Sequence, residues 1–314
     1  MRVRDTWGRL RRPDALGAVR RNGAAAVDRV WAPTAKRWSR APRAPHRPTA
    51  DPRVALVTVN FSTTTYLKLM LATLAAQEGL DLLTRVVIVD NGSRDDGLPF
   101  LRALATAVDR VTVVERHRFP SHAHGMRAGV AALGRAEQGT AEADRATHLL
   151  FVDTDVVWRR ADALLDLVAV AVAADAALVG EVRTHGPNPR PDIQASLFLV
   201  RRDVYDDPAI PPLLNCGSPG YRLQQGVIDH GGTVVDFPTN RGGYTLHRGR
   251  TGVVAAAAHP RHPYARAVVR EPHFMGVPDG ARVWAGTEAA YATLLGRADE
   301  PTLLDLLATR LGSA

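Results

Sequence analysis

VALVTVN (Val54–Asn60), VVIVD (Val86–Asp90) and LLFVD (Leu149–Asp153) are three short apolar runs, each ending on a polar side chain. They are too short for ordinary helices, rich in β-branched residues, and apolar on both alternating faces. Such runs read as strands buried on both sides. Between them the periodicity changes. Leu67, Met70, Leu71 and Leu74 share one helical face after the first run, Leu98 to Val108 form a helix after the second, and Val111 to Val114 form a strand. Met126, Val130 and Leu133 then stand at i, i+4 and i+7. After the third run come a helix over Ala161 to Ala174 and a strand over Ala177 to Glu181. Strands alternating with amphipathic helices predict an α/β fold with a largely parallel sheet covered on both faces.

Beyond Gly180 the rhythm breaks. A proline-rich loop (Arg183 to Pro191) leads to a strand over Ile193 to Val200. A short helix follows, with Ser218 as its expected N-cap, Pro219 at its first position and Gly231-Gly232 as its stop. Leu294, Leu295, Leu303, Leu304, Leu306 and Leu307 mark C-terminal helices. Upstream, APRAPHRPTADP (Ala41 to Pro52) holds four prolines in twelve residues and reads as a linker. The expected organisation is an N-terminal extension over 1–50, a first half over 51–180, a second over 181–252 and a helical region over 253–314.

Charge follows these divisions. The 314 residues carry 40 Lys and Arg against 32 Asp and Glu, a net +8. Residues 1–50 hold thirteen of the basic and three of the acidic side chains, a net +10, so the remainder is at −2. A slightly acidic body argues against nucleic acid as a partner. The extension also contains Trp7, Trp31 and Trp38, and Leu16, Val19, Val27, Val30 and Trp31 share one side of a potential helix. It is either a solvated tail or an interfacial helix on an anionic membrane surface. The single cysteine, Cys216, excludes an intrachain disulfide and a cysteine cage for metal. The longest apolar stretch, Ala163 to Gly180, is broken by Asp166 and Asp175, so no spanning helix is expected. These features predict a cytoplasmic protein, peripheral to the inner face of the membrane if the extension binds lipid.

In open α/β sheets ligands bind beyond the carboxyl ends of the strands. Those ends here read Asn60-Phe61-Ser62, Asp90-Asn91-Gly92-Ser93 with Asp95 and Asp96, and Asp153-Thr154-Asp155. Two carboxylates flanking one residue can hold Mg²⁺ or Mn²⁺ and leave coordination sites for a diphosphate; they equally suit a helix N-cap and a turn acid. Asp90 before Asn-Gly suits a hydrogen bond to a nucleoside or a plain Asx-turn. Neither GxxxxGK[ST] nor GxGxxG occurs, so a metal is the natural partner for any diphosphate.

VTVNFSTTTYLKLMLATL, VVIVDNGSRDDG, SHAHGMRAGVAAL and HLLFVDTDVV, in this order and at these spacings, resemble the nucleotide-sugar-binding half of a family-2 glycosyltransferase of the GT-A fold. The resemblance covers Arg53 to Gly180 and continues more loosely to Gly252. It implies a Rossmann-like sheet with a smaller acceptor-side region, and a nucleotide-sugar donor. The acceptor would be a glycan, a lipid-linked sugar or a small molecule. By the same resemblance Asn60 and Asp90, with Ser93 and Asp95, contact the nucleoside, and His124, Gly125 and Arg127 line its pocket. Asp153 and Asp155 bind the cation and diphosphate, and His247 completes the metal site. Inverting members use a carboxylate to take the acceptor proton, but the corresponding stretch, NCGSPGYRLQQG, contains no acid. Asp229 lies at the far end of that helix, and Asp192 is the candidate base. The missing acid also admits a catalytically weak nucleotide-binding module tethered by its basic arm.

Overall fold

A computed structural model describes residues 51–117, 121–183, 191–214, 218–257, 271–295 and 301–312. The basic extension, the proline-rich loop 184–190, Cys216, His259 and His262 lie outside the described residues. In chain order the elements are β1 (Val54–Asn60), α1 (Thr64–Leu74), β2 (Leu83–Asp90), α2 (Leu98–Ala107), β3 (Val111–Glu115), α3 (His122–Ala136), β4 (His148–Val152) and β5 (Val156–Trp158). There follow α4 (Ala163–Ala173), β6 (Leu178–Arg183), β7 (Asp192–Arg201), α5 (Arg202–Asp206), α6 (Tyr221–Asp229), β8 (Val234–Asp236) and β9 (Thr245–His247). The last three helices are α7 (Thr251–Ala257), α8 (Gly280–Ala290) and α9 (Pro301–Gly312).

Seven strands form one sheet in the order β3-β2-β1-β4-β7-β6-β8, and β5 pairs with β9 in a separate ribbon. β1 runs parallel to β2 and β4, and β2 to β3, whereas β7 is antiparallel to both of its neighbours. Sequence order therefore reverses on the two sides of β1, which opens a crevice at the carboxyl ends of β1 and β4.

The continuous apolar character of the central strands follows from burial on two faces. Leu56, Ile88 and Leu150 face α1, α2, α4 and α9. Val57, Val59, Val89 and Phe151 face α3 and α6. α3 lies unusually close to β1: a β-carbon on Gly125 would stand 2.7 Å from Val59, and one on Gly129 would stand 2.5 Å from Val57. Both positions therefore require glycine.

Two features depart from the sequence reading. The short helix starts at Tyr221 with Gly220 as its N-cap, not with Ser218 as N-cap and Pro219 as first residue. The Pro219 carbonyl accepts the Leu214 amide, which holds that residue in a turn outside the helix, and the Ser218 hydroxyl is buried without a partner. The β5–β9 ribbon, three residues on each side, carries no periodic pattern of its own. It is packed under Trp284 of α8, together with Leu69, Val157 and Leu246. At the C-terminus Leu303, Leu307 and Leu311 of α9 are buried in the main core. Among the described residues no helix is long and apolar enough to cross a membrane.

Candidate functional site

β4 ends at Val152, and the next amide, of Asp153, donates to Ser196 of β7 at 2.7 Å. The chain then turns, with the Val156 amide bonded back to the Asp153 carbonyl, before β5 begins. Thr154, between the two acids, has its hydroxyl 3.0 Å from that of Thr63 at the start of α1. β9 pairs antiparallel with β5, opposing His247 to Val156, and so brings His247 to the same turn. His247 Nε2 lies 3.1 Å from Asp155 Oδ1 and 3.7 Å from Asp153 Oδ2. One ligand atom from each of these three residues lies within 4.8 Å of the others. Two carboxylate oxygens and an imidazole nitrogen converging in this way fit a divalent cation.

The surroundings tighten this cluster. Asp155 is 4% exposed. Its Oδ2 accepts the Thr251 hydroxyl at 2.8 Å, and its carbonyl accepts the Arg248 amide at 3.0 Å. His122, the first residue of α3, places Nε2 3.3 Å from Asp153 Oδ1. The site opens into a cavity of about 230 Å³ whose walls include Val59, Phe61, Thr63, His122, Arg250 and Val253. His273 meets His247 edge-on at 5.7 Å, where Gly249 at φ +78° leaves room for its ring.

These contacts set the protonation of the cluster. Burial alone would raise the Asp155 carboxyl, but the charge and hydrogen bond of His247 and the bonds from Thr251 outweigh it and hold the group at about 2. Burial pushes the His247 imidazole toward neutrality, and Asp155 and Asp153 more than offset this, leaving it above its ordinary 6.5. His122 is raised in the same way, burial being outweighed by Asp153. His273 is held down at about 4 by burial, then by His247 and Arg250.

A cation held by His247 would need the neutral imidazole, whereas the metal-free fold gains from the protonated form. Because the folded value exceeds 6.5, that gain is complete below 6.5 and is lost as pH rises through the folded value. Melting temperatures in chelator should therefore fall as pH rises above 6.5, while the increment produced by added Mn²⁺ should grow. An increment independent of pH would contradict this assignment.

The register that opposes Asn60 to Asp90 builds a second cluster at the ends of β1 and β2. The Asn60 amide nitrogen donates to Asp90 Oδ1, Ser93 Oγ and Thr64 Oγ1 at 3.0–3.1 Å, and its oxygen accepts from Thr63. The Ser93 amide donates to Asp90 Oδ2 at 3.1 Å, and the Thr64 amide to Asp95 Oδ2 at 2.7 Å. Burial raises the Asp95 carboxyl against the lowering effect of Thr64, and its Oδ1 is buried without a partner. Asn60 and Asp90 are themselves buried, at 0% and 4% exposure. Their side chains thus lock the two strand ends together.

The three α3 residues expected at the nucleotide pocket make contacts within the protein. His124 shares hydrogen bonds with the capping Ser121 hydroxyl, Gly125 packs on Val59, and Arg127 donates to the Leu213 carbonyl. None of them lines the cavity, whereas His122 does. Within SHAHG the histidine that reaches the acidic cluster is His122, two places before His124. Residues two apart on a helix point to different sides, and only the tertiary placement of α3 shows which side meets β4. Thr251 gave no sequence signal. Asp192, the candidate base, begins β7 and is 1% exposed, paired with Arg183 at 2.7 Å and absent from the cavity wall.

Among solved structures the fold resembles a mannosyltransferase, PcManGT from Pyrobaculum calidifontis, solved with GDP-Man and Mn2+. The identity is 18%, with a TM-score of 0.45 over 96% of this chain and 88% of that one. It also resembles S. aureus TarS residues 1–349, at 13% identity and a TM-score of 0.45 over 80% and 77%. Glucosyl-3-phosphoglycerate synthase from Mycobacterium tuberculosis matches at 16% and 0.43 over 72% and 87%. No curated protein sequence matches the chain. The profile of glycosyl transferase family 2 matches residues 55–242, more than half of the chain. With that match, and with its seven-stranded, mostly parallel sheet flanked by helices, the chain belongs to glycosyl transferase family 2.

Proposed function

We propose that the protein transfers a sugar, with inversion, from a nucleoside-diphosphate sugar to a hydroxyl acceptor, and that Asp153, Asp155 and His247 hold Mn²⁺ or Mg²⁺ for this reaction. The observation that carries the reading is the convergence of these three side chains at the topological switch of a family-2 sheet. Bound there, a divalent cation would stabilise the departing diphosphate. Asp155 is pre-organised by Thr251 and by the Arg248 amide, so little reorganisation is required on binding. Val59, Phe61 and Val253 supply apolar wall that excludes water from the donor. Asn60, Asp90, Ser93 and Asp95 are proposed to meet the nucleoside, with His124, Gly125 and Arg127 lining its pocket. For Asp192 to take the acceptor proton, its contact with Arg183 has to open.

A non-hydrolysable donor together with Mn²⁺ is expected to raise the melting temperature, and Asp153→Asn is expected to abolish that shift. Survival of the shift in the variant would end the metal assignment. The second reading, a catalytically weak binding module, is favoured by the absence of an acid in NCGSPGYRLQQG. It requires the same thermal shift with no donor hydrolysis or transfer across a panel of acceptors. For the basic extension we propose contact with an anionic membrane surface. Deleting residues 1–50 is expected to preserve donor binding and to weaken association with phosphatidylserine vesicles; equal association would dismiss the idea.

A further inference from the structure

We propose that His122 and Thr251 are positioning residues, which aim the two aspartates of the cation site by holding the oxygens that do not face the ion. The proposal rests on the metal reading above and adds to it. Each aspartate turns one oxygen toward His247 Nε2: Oδ1 of Asp155 at 3.1 Å and Oδ2 of Asp153 at 3.7 Å. The other oxygen of each is engaged from a different wall. Thr251, from the segment after β9, donates its hydroxyl to Asp155 Oδ2 at 2.8 Å. His122, from the start of α3, presents Nε2 to Asp153 Oδ1 at 3.3 Å. A carboxylate that binds a cation through one oxygen can rotate about its terminal torsion unless the second oxygen is held.

The geometry separates His122 from the ligands. The cluster whose atoms all lie within 4.8 Å comprises Asp153, Asp155 and His247, and His122 meets the Asp153 oxygen other than the one His247 faces. The two restraints also come from elements far apart in sequence, so the cation site is assembled only when α3 and the α7 segment both close on the β4–β5 turn. The Asp153 side chain is 23% exposed and that of Asp155 is 5%, so the restraint from His122 acts on the looser ligand.

The test is Mn²⁺ binding by the full chain, followed through the electron paramagnetic resonance signal of free Mn²⁺. His122→Ala and Thr251→Val are each expected to weaken binding about 10- to 100-fold. His122→Gln keeps a nitrogen donor where Nε2 stands, Thr251→Ser keeps the hydroxyl, and each is expected to remain within about threefold of the parent, well inside the range of lost orienting partners. Rescue by these variants is a result that a merely structural role does not produce. Alanine and valine variants that bind as the parent does, or conservative variants that fail to rescue, would overturn the proposal. Asp155→Asn is the control that separates the two ideas: if it too leaves Mn²⁺ binding unchanged, the cation site itself is wrong; if it alone removes binding, only the positioning roles fall.

Discussion

Asp155→Asn is expected to lower sugar transfer by about three orders of magnitude, or about 4 kcal/mol of transition-state stabilisation. The substitution keeps the shape of the side chain and removes the charge that faces His247. Two contacts then change together: His247 Nε2 loses its carboxylate at 3.1 Å and the Thr251 hydroxyl loses a charged acceptor at 2.8 Å, while the proposed cation site loses its most enclosed carboxylate. The metal-free variant should also lose the stabilisation that the parent shows below pH 6.5, because the raised imidazole then has only Asp153 beside it. Steady-state transfer at saturating Mn²⁺, with melting curves in chelator across pH, tests both parts. Transfer within tenfold of the parent would show that Asp155 is not a ligand.

The largest effect on stability is expected at Phe151, one strand residue before Val152 and two before Asp153. Its ring is fully buried, stacked on Phe198 with centroids 4.8 Å apart and tilted against Tyr205 at 6.1 Å. Phe151→Ala leaves a cavity on the face of the sheet covered by α3 and α6 that neighbouring aromatic rings cannot close, at a cost of about 3–5 kcal/mol. Urea unfolding measures this, and a loss below about 1 kcal/mol, the range of volume-conserving swaps, would contradict the packing described. The damage should reach the site as well. Phe151 opposes Phe198 across the ladder, and two residues further on the Asp153 amide is tied to the Ser196 carbonyl. Phe151→Leu, which retains more volume, should recover most of both losses.

The sheet and its polar strand ends were legible in the sequence because apolar strands terminated by Asn or Asp are local patterns. β1 runs from Val54 to Asn60 as its residues predict, and the helix of Leu67, Met70, Leu71 and Leu74 spans Thr64 to Leu74. The second strand begins at Leu83, three residues before the apolar run, since Leu83 and the partly buried Arg85 pair along β1 around a bulge at Thr84, and neither Thr84 nor Arg85 contributes apolar character. The antiparallel course of β7 was not legible, because direction depends on how the segment between β6 and β7 returns. Nor were β5 and β9, whose three residues each are stabilised by pairing with one another and by packing with Leu69 under Trp284.

At the site the same division holds. Asp153 and Asp155 are readable from their position after an apolar strand, since the turn that follows a central strand lies at the carboxyl edge of the sheet, where ligands bind. His247 stands more than ninety residues away, and nothing local distinguishes it from its neighbours in a glycine- and arginine-rich stretch. What selects it is the β5–β9 register, and what selects His122 over His124 is the rotation of α3 fixed by Gly125 and Gly129 against β1. The sequence by itself determined the alternating fold, the two carboxylates and the separation of a +10 extension from a −2 body. Only the tertiary structure decided which imidazoles and which hydroxyl meet those carboxylates, because such contacts depend on long-range pairing and helix rotation that leave no periodic trace in the chain.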